Sequence, residues 1–257
     1  MNEMSLPEEI TPLLAAEIRR QPHPLLFATI SGAHLYGFPS ANSDYDLRGV
    51  HILPATELLS LDEPTETIEV SKVEQEVAFD LVTHDVAKFM RLLLKPNGYV
   101  LEQLLSPLIL HTTPEHGELK AIVPECLTRH HAHHYLGFAR SQWQLCQSHD
   151  PPRIKPLLYT FRVLLTGIHL MQTGQVEANL VRLNEHFRLP YLPDLIRRKV
   201  EGVEKEVLPE MDWAFFEGEY GRLTHQLEQA REHSHLPEQP TARPALNELL
   251  LRLRLKT

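Results

Sequence analysis

Long apolar runs are absent from this 257-residue chain. None reaches the length that a bilayer-spanning helix requires, so no membrane association is expected. The opening MNEMSLPEEI is acidic, unlike a secretory signal. Cysteine is nearly missing. Cys126 and Cys146 are too few for a disulfide framework, and a reducing, cytoplasmic setting is the simplest expectation. A basic excess is missing too. The formal net charge is −9, which argues against a protein that holds nucleic acid through overall positive charge, because such binding depends on neutralising phosphates. That leaves room for an enzyme that grips a short nucleic-acid end with a local patch. Composition is otherwise ordinary for a globular protein, with 42% hydrophobic and 23% charged residues. The length suits one large domain or two small ones.

The first hundred residues alternate helix and strand patterns. SLPEEITPLLAAEIRRQ carries a capping box, Ser5 with Glu8, ahead of apolar residues at helical spacing. PLLFATIS reads as a short buried strand and GFPSANS as a turn. DYDLRGVHIL, TETIEVS and EVAFDLVT read as further strands, and HDVAKFMRLLLK as an amphipathic helix with Thr83 as its N-cap. From about residue 113 the patterns are helical: TPEHGELKAIV, RHHAHHYLGFARSQWQLCQ, IKPLLYTFRVLLTGIHLMQTG, LPDLIRRKVEG, EGEYGRLTHQLEQAREHS and ALNELLLRLRLK. Pro151-Pro152 and HLPEQPTARP punctuate them. The expectation is an α+β fold. A small mixed β-sheet with helices occupies residues 1–112, and a C-terminal helical domain occupies residues 113–257.

The chemistry concentrates in SGAHLYGFPSANSDYDLRGV, residues 31–50. Side chains alternate along a strand, so Asp44 and Asp46 would project together and Tyr45 oppositely. Two neighbouring carboxylates repel unless a cation neutralises them, and carboxylate oxygens suit Mg²⁺. A third acid, Asp80, interrupts the apolar EVAFDLV, where burial without a partner would be costly. Three acids from two strands could hold two metal ions, polarise a phosphoryl group and activate a hydroxyl. Acids beside a turn are usually just solvated. The more specific signal is the order: strand, glycine-bearing turn, SDYD, strand, isolated Asp. Upstream, Gly32 and Gly37 would let backbone N–H groups approach a phosphate closely. His34 lies where that phosphate would come, and Ser40 and Ser43 add hydroxyls. Arg48, two residues past Asp46, would share its face, pairing with the aspartates, contacting phosphate or serving as a structural ion pair.

GAHLYGFPSANSDYDLRGV resembles the signature of the DNA polymerase beta-like nucleotidyltransferase superfamily, a Gly-Ser turn followed by Asp-x-Asp. With KFMRLLLKPNGYVLEQLLSP and RIKPLLYTFRVLLTGIHLMQTG downstream, the chain resembles the bacterial and phage branch of RNA-repair-pathway nucleotidyltransferases. The resemblance implies a small mixed sheet, a helical C-terminal domain, and Mg²⁺-dependent transfer of a nucleoside monophosphate from an NTP such as ATP, with Mn²⁺ as the alternative ion. It places the two turn-proximal metal acids on Asp44 and Asp46 and the third on Asp80. The chain departs from the signature in reading Gly32-Ala33 where the superfamily reads Gly-Ser. The serine hydroxyl normally meets the triphosphate. Here backbone N–H groups, Ser40 or Ser43 would have to replace it.

In the helix pattern IKPLLYTFRVLLTGIHLM, Lys155, Tyr159, Arg162, Thr166 and His169 fall along one face. Lys155, Tyr159 and Arg162 suit a nucleotide, with cations for phosphate and an aromatic for base or sugar. Thr166 and His169 are expected on a solvated face. RHHAHH, including His130 and His134 four apart, reads as surface histidines at a helix start rather than a zinc site, for want of matching ligands. The basic segments are LIRRKVEG and the tail LLLRLRLKT. In the tail, Leu249, Leu250 and Leu253 should pack inward, leaving Arg252, Arg254 and Lys256 exposed. The expected function is metal-dependent nucleotidyl transfer to an acceptor hydroxyl, an RNA 3′ end being the acceptor the resemblance suggests. The alternatives are an adenylyltransferase acting on a protein or small molecule, and a non-catalytic nucleotide-binding protein.

Overall fold

The computed structural model describes residues 10–148, 153–202 and 212–256. The Ser5–Glu8 capping box and Pro151-Pro152 lie outside them. The chain divides into two compact units, one of residues 1–35, 44–126 and 240–257, the other of residues 36–43 and 127–239. This is not the contiguous pair expected from the change of pattern near residue 113. Among the described residues no helix is long and apolar enough to cross a membrane.

The first unit opens with helix α1 (Thr11–Arg19), strand β1 (Leu25–Ile30) and the short helix α2 (Gly32–Tyr36), which runs to the edge of the unit. It resumes with β2 (Tyr45–His51), α3 (Ala55–Leu58), β3 (Thr67–Glu74), β4 (Val77–Asp85), α4 (Val86–Leu93), α5 (Gly98–Leu105), β5 (Ile109–Thr112) and α6 (Pro114–Cys126). The five strands form one mixed sheet in the order β3-β4-β2-β1-β5. β2 and β4 are parallel, and the other pairs are antiparallel. Burial explains the order. Every residue of β1, LLFATI, is buried, as suits an interior strand, whereas β3 at the edge carries Glu69, Lys72 and Glu74 and buries none of its residues. β3 and β4 are joined through Gln75 and Glu76, both at positive φ (51° and 65°), the backbone that a two-residue hairpin turn requires.

Several expectations change here. Thr83 does not cap α4. It lies inside β4, and its Oγ1 is 2.9 Å from His51 Nδ1. The cap is Asp85, whose carboxylate accepts from the Ala87 N–H at 2.9 Å. β5, α3 and α5 were not anticipated; none exceeds eight residues. The last helix, α12 (Arg243–Lys256), belongs to the sheet unit rather than to the helical one. Leu249 and Leu253 pack inward as expected, but Arg254 is buried as well. Its Nη2 donates to both Asp85 oxygens at 2.6 Å, and its Nη1 donates to the Leu53 carbonyl. Arg252 is exposed and pairs with Glu118, and the Lys256 side chain lies outside the described residues.

The second unit contains α7 (His131–Gln147), α8 (Ile154–Thr173), α9 (Leu180–Phe187), α10 (Leu192–Glu201) and α11 (Trp213–Glu232). α8 is its axis, buried on nearly all sides. The expectation of a solvated polar stripe therefore fails at Thr166, which is fully buried and donates to the Glu177 carbonyl at 2.9 Å. In RHHAHH, His131 is also buried, accepting the Thr128 N–H on Nδ1 at 3.2 Å. Both cysteines are free and buried.

Burial pushes His51, His116 and His131 down to about 4. Their ordinary pKa of about 6.5 returns on unfolding, so the unfolded chain binds more protons below that pH. The folded state therefore has its full stability above pH 6.5 and loses it as pH falls toward 4. Each of these histidines is expected to cost on the order of 1–2 kcal/mol between pH 7 and pH 5. Urea titrations at the two pH values measure the loss. Equal midpoints would contradict it.

Candidate active site

The sheet unit brings Asp46 and Asp80 side by side. They are register partners on the parallel strands β2 and β4. Both carboxylates are partly open to solvent, with side-chain exposures of 35% and 40%. Asp80 is thus not the buried acid its apolar neighbours suggested. β4 alternates, with Phe79 and Leu81 turned inward and Asp80 on the half-exposed face. Beneath the pair lies Arg48, whose side chain is only 11% exposed. Its Nη2 is 2.9 Å from Asp46 Oδ1 and its Nη1 is 3.3 Å from Asp80 Oδ2. Nη1 also donates to the Leu47 and Asp80 carbonyls at 2.8 and 2.9 Å, and Nε to the Tyr99 hydroxyl at 3.4 Å. Burial works to lower the guanidinium pKa, but Tyr99, Asp46 and Asp80 outweigh it and raise it, so Arg48 stays charged. Ser71 donates its hydroxyl to Asp80 Oδ1 at 2.6 Å.

Gly32 sets the position of Asp46. It has φ +63°, and a Cβ placed there would lie 1.8 Å from Asp46 Oδ2. The carboxylate rests where any other residue's side chain would begin. This is why the turn carries glycine, for close approach of a side chain as well as for the backbone. Ala33 is buried and presents no hydroxyl. His34 stacks on Tyr45 with ring centroids 4.1 Å apart. Burial lowers its pKa to about 4 against the opposing pull of Asp44, so it is neutral at pH 7. Asp44 precedes β2 and is exposed, so strand alternation does not reach it.

The donors are all carboxylates, the oxygen chemistry that Mg²⁺ or Mn²⁺ takes. The space that Gly32 leaves for the Asp46 carboxylate fits a ligand held in a fixed position. Asp46 and Asp80 therefore suit a hard divalent ion. Among the described residues, however, no three His, Cys, Asp or Glu side chains stand as a ready cluster. The expected trio of Asp44, Asp46 and Asp80 is present as a pair with one acid outside it.

The remaining candidates lie in the helical unit, which includes residues 36–43. Ser40 and Ser43 face each other, with hydroxyls 3.1 Å apart, and the Ser40 N–H donates to Ser43 Oγ at 2.9 Å. Lys199 Nζ donates to Ser40 Oγ at 2.9 Å. Tyr159 meets Tyr36 and Phe38 edge-on at 5.5 and 5.7 Å. The Arg162 guanidinium lies 3.8 Å over the Tyr36 ring and has no exposed surface. Lys155 is exposed. Sequence reasoning missed Lys199, grouping it with its basic neighbours. The signal was its spacing. Leu192, Leu195 and Lys199 share the buried face of α10, so this lysine sits where an apolar residue belongs. Arg197 and Arg198, its neighbours in the basic segment, both pair with Asp194 on the exposed face.

Comparison with known families decides the lineage. Residues 7–252 match the RNA repair pathway DNA polymerase beta family. The chain belongs to this family. Its relatives include the uncharacterized protein MJ0002 of Methanocaldococcus jannaschii, 33% identical over 156 residues. That match covers 60% of this chain and 63% of the relative, so less than two thirds of the relative's length is spanned. The uncharacterized protein YcgL of Bacillus subtilis is 27% identical over 239 residues, 88% of each chain. A crystal structure of a nucleotidyltransferase-like protein from Exiguobacterium sibiricum 255-15 aligns over 97% of this chain and 80% of that one, at 13% identity and a TM-score of 0.35. The α+β architecture, a five-stranded mixed sheet with helices, accords with membership of this family.

Proposed function

We propose that the protein transfers a nucleoside monophosphate from an NTP to an acceptor hydroxyl, with an RNA 3′ end as the acceptor, in a reaction that depends on Mg²⁺ or Mn²⁺. The observation that carries this reading is the Asp46–Asp80 pair, two half-exposed carboxylates in register on neighbouring strands, one seated on Gly32. A divalent ion held there would stabilise charge developing on the phosphoryl oxygens and ease deprotonation of the acceptor hydroxyl. In-line attack would expel pyrophosphate. Asp46 and Asp80 would hold the ion, and Asp80 would take the acceptor's proton. Asp44, exposed at the entrance to β2, is the third carboxylate and would serve a second ion in a two-ion form of the reaction.

Ser40, Ser43 and Lys199 are assigned to the triphosphate, two hydroxyls and an ammonium taking over from the hydroxyl that Ala33 lacks. Gly32, Ala33 and His34 contribute the N-terminal backbone of α2. Tyr159 is assigned to the nucleotide's base or sugar and Lys155 to its phosphates. Arg162 acts through Tyr36, which it holds from below. The test is transfer of label from each of four α-³²P NTPs, with Mg²⁺ or Mn²⁺, to a pool of small RNAs and separately to the protein itself. Asp46→Asn is the control. RNA label that disappears in the control is the expected result. Label on protein alone would replace the RNA acceptor with a protein one, and no label on either would overturn the reading. Lys199→Gln is expected to raise the KM for NTP roughly tenfold, as loss of one charge-assisted contact does. An unchanged KM removes Lys199 from the triphosphate site.

A further inference from the structure

Two carboxylates in register on adjacent strands repel across a short distance, and Asp46 and Asp80 are such a pair. The guanidinium of Arg48 makes this tolerable. It reaches one oxygen of each acid with a different terminal nitrogen, at 2.9 and 3.3 Å. It is not a loose surface arginine. Two backbone carbonyls at 2.8 and 2.9 Å and the Tyr99 hydroxyl fix it independently of the carboxylates. It is also far less exposed than the acids it bridges, so an approaching ion meets the carboxylates first and the guanidinium behind them.

We infer that Arg48 is the built-in counter-cation of the acid pair, a positioning residue that holds Asp46 and Asp80 ready and weakens their grip on a free divalent ion. This rests on the metal-dependent reading given above. The anchors keep Arg48 in place when an ion arrives. The ion then meets a pair whose charge is already partly neutralised, with a fixed positive charge close behind. The free protein therefore binds metal weakly. Nucleotide phosphates, which bring negative charge to the same place, restore the attraction, so metal and nucleotide bind together better than either does alone.

Mn²⁺ binding followed by electron paramagnetic resonance on the intact protein, without nucleotide, tests this separately from catalysis. Arg48→Gln is expected to bind Mn²⁺ roughly tenfold more tightly than the wild type, because a nearby positive charge is gone. Its thermal midpoint without metal should be lower, and Mn²⁺ should raise it further than it raises the wild type. Arg48→Lys, which keeps the charge but loses the fork, should stay near wild-type affinity. A folded Arg48→Gln variant with equal or weaker Mn²⁺ affinity overturns the inference, and so does tightening in Arg48→Lys equal to that in Arg48→Gln. Asp46→Asn separates the two levels. If the wild type binds Mn²⁺ and Asp46→Asn does not, the metal reading stands whatever Arg48 does. If no protein binds Mn²⁺, both fall.

Discussion

Gly32→Ala is expected to lose nucleotidyl transfer nearly as completely as Asp46→Asn, although it removes no functional group. The added methyl would lie 1.8 Å from Asp46 Oδ2, so the carboxylate must leave its seat. A displacement of about 1 Å at a reacting centre costs on the order of 10²-fold in rate, and this one is larger. The stability cost is smaller. A non-glycine residue at φ +63° is strained by about 1–2 kcal/mol, which a multi-helix protein of this size should survive. The signature of the variant is thus a folded protein with a modest fall in melting temperature and a loss of kcat of at least about 10²-fold on the proposed reading. Circular dichroism and the labelled-NTP assay read the two effects separately. A fully active Gly32→Ala variant would remove Asp46 from the reaction.

Arg254→Ala should be the most damaging single change outside the site. It would strand Asp85, whose side chain is 1% exposed and whose carboxylate otherwise receives Arg254 Nη2 on both oxygens at 2.6 Å. Removing one partner of a buried ion pair costs about 3–5 kcal/mol, because the remaining charge is left without compensation. In a chain of this length that corresponds to a fall of ~10 °C in melting temperature. Asp85 also caps α4 and accepts the Leu53 N–H at 3.3 Å, so the loss would reach the start of α4 and the end of β2. Arg252→Ala is the comparison, since its exposed pair with Glu118 should contribute about 1 kcal/mol or less. Equal effects of the two substitutions would show that burial of Arg254 adds nothing.

Much of this could be read from residue order. β1, β3 and β4, the long helices α7, α8 and α11, and the SDYD strand entry announced themselves through period and turn chemistry. The acid pair did so in part. Alternation correctly set Asp46 opposite the buried Tyr45, but Asp44 lies one residue before the strand begins, where alternation does not apply. Asp80 was found through its apolar neighbours, though the reason was wrong: its face of β4 is half open, so no burial cost demanded a metal. The roles of Arg254 and Lys199 depend on partners 169 and 159 residues away in the chain. No local pattern encodes such distances. Both residues left the same trace, a cation on the apolar face of an amphipathic helix, and both were read as surface charge because cations usually are. β5 was missed because four residues with an edge-strand pattern differ little from a loop.

The clasp between Asp85 and Arg254 also has a consequence in time. A chain leaves the ribosome from its N-terminus, and the strands of the sheet unit are all made by residue 112. Their closing helix is not made until residue 254 has emerged. Throughout the synthesis of the helical unit, the sheet must wait with Asp85 unpaired and the surface that α12 will cover still open. The nascent protein therefore passes through a stage in which its sheet is complete in sequence and incomplete in structure, the interval in which transiently exposed apolar surface calls for a chaperone.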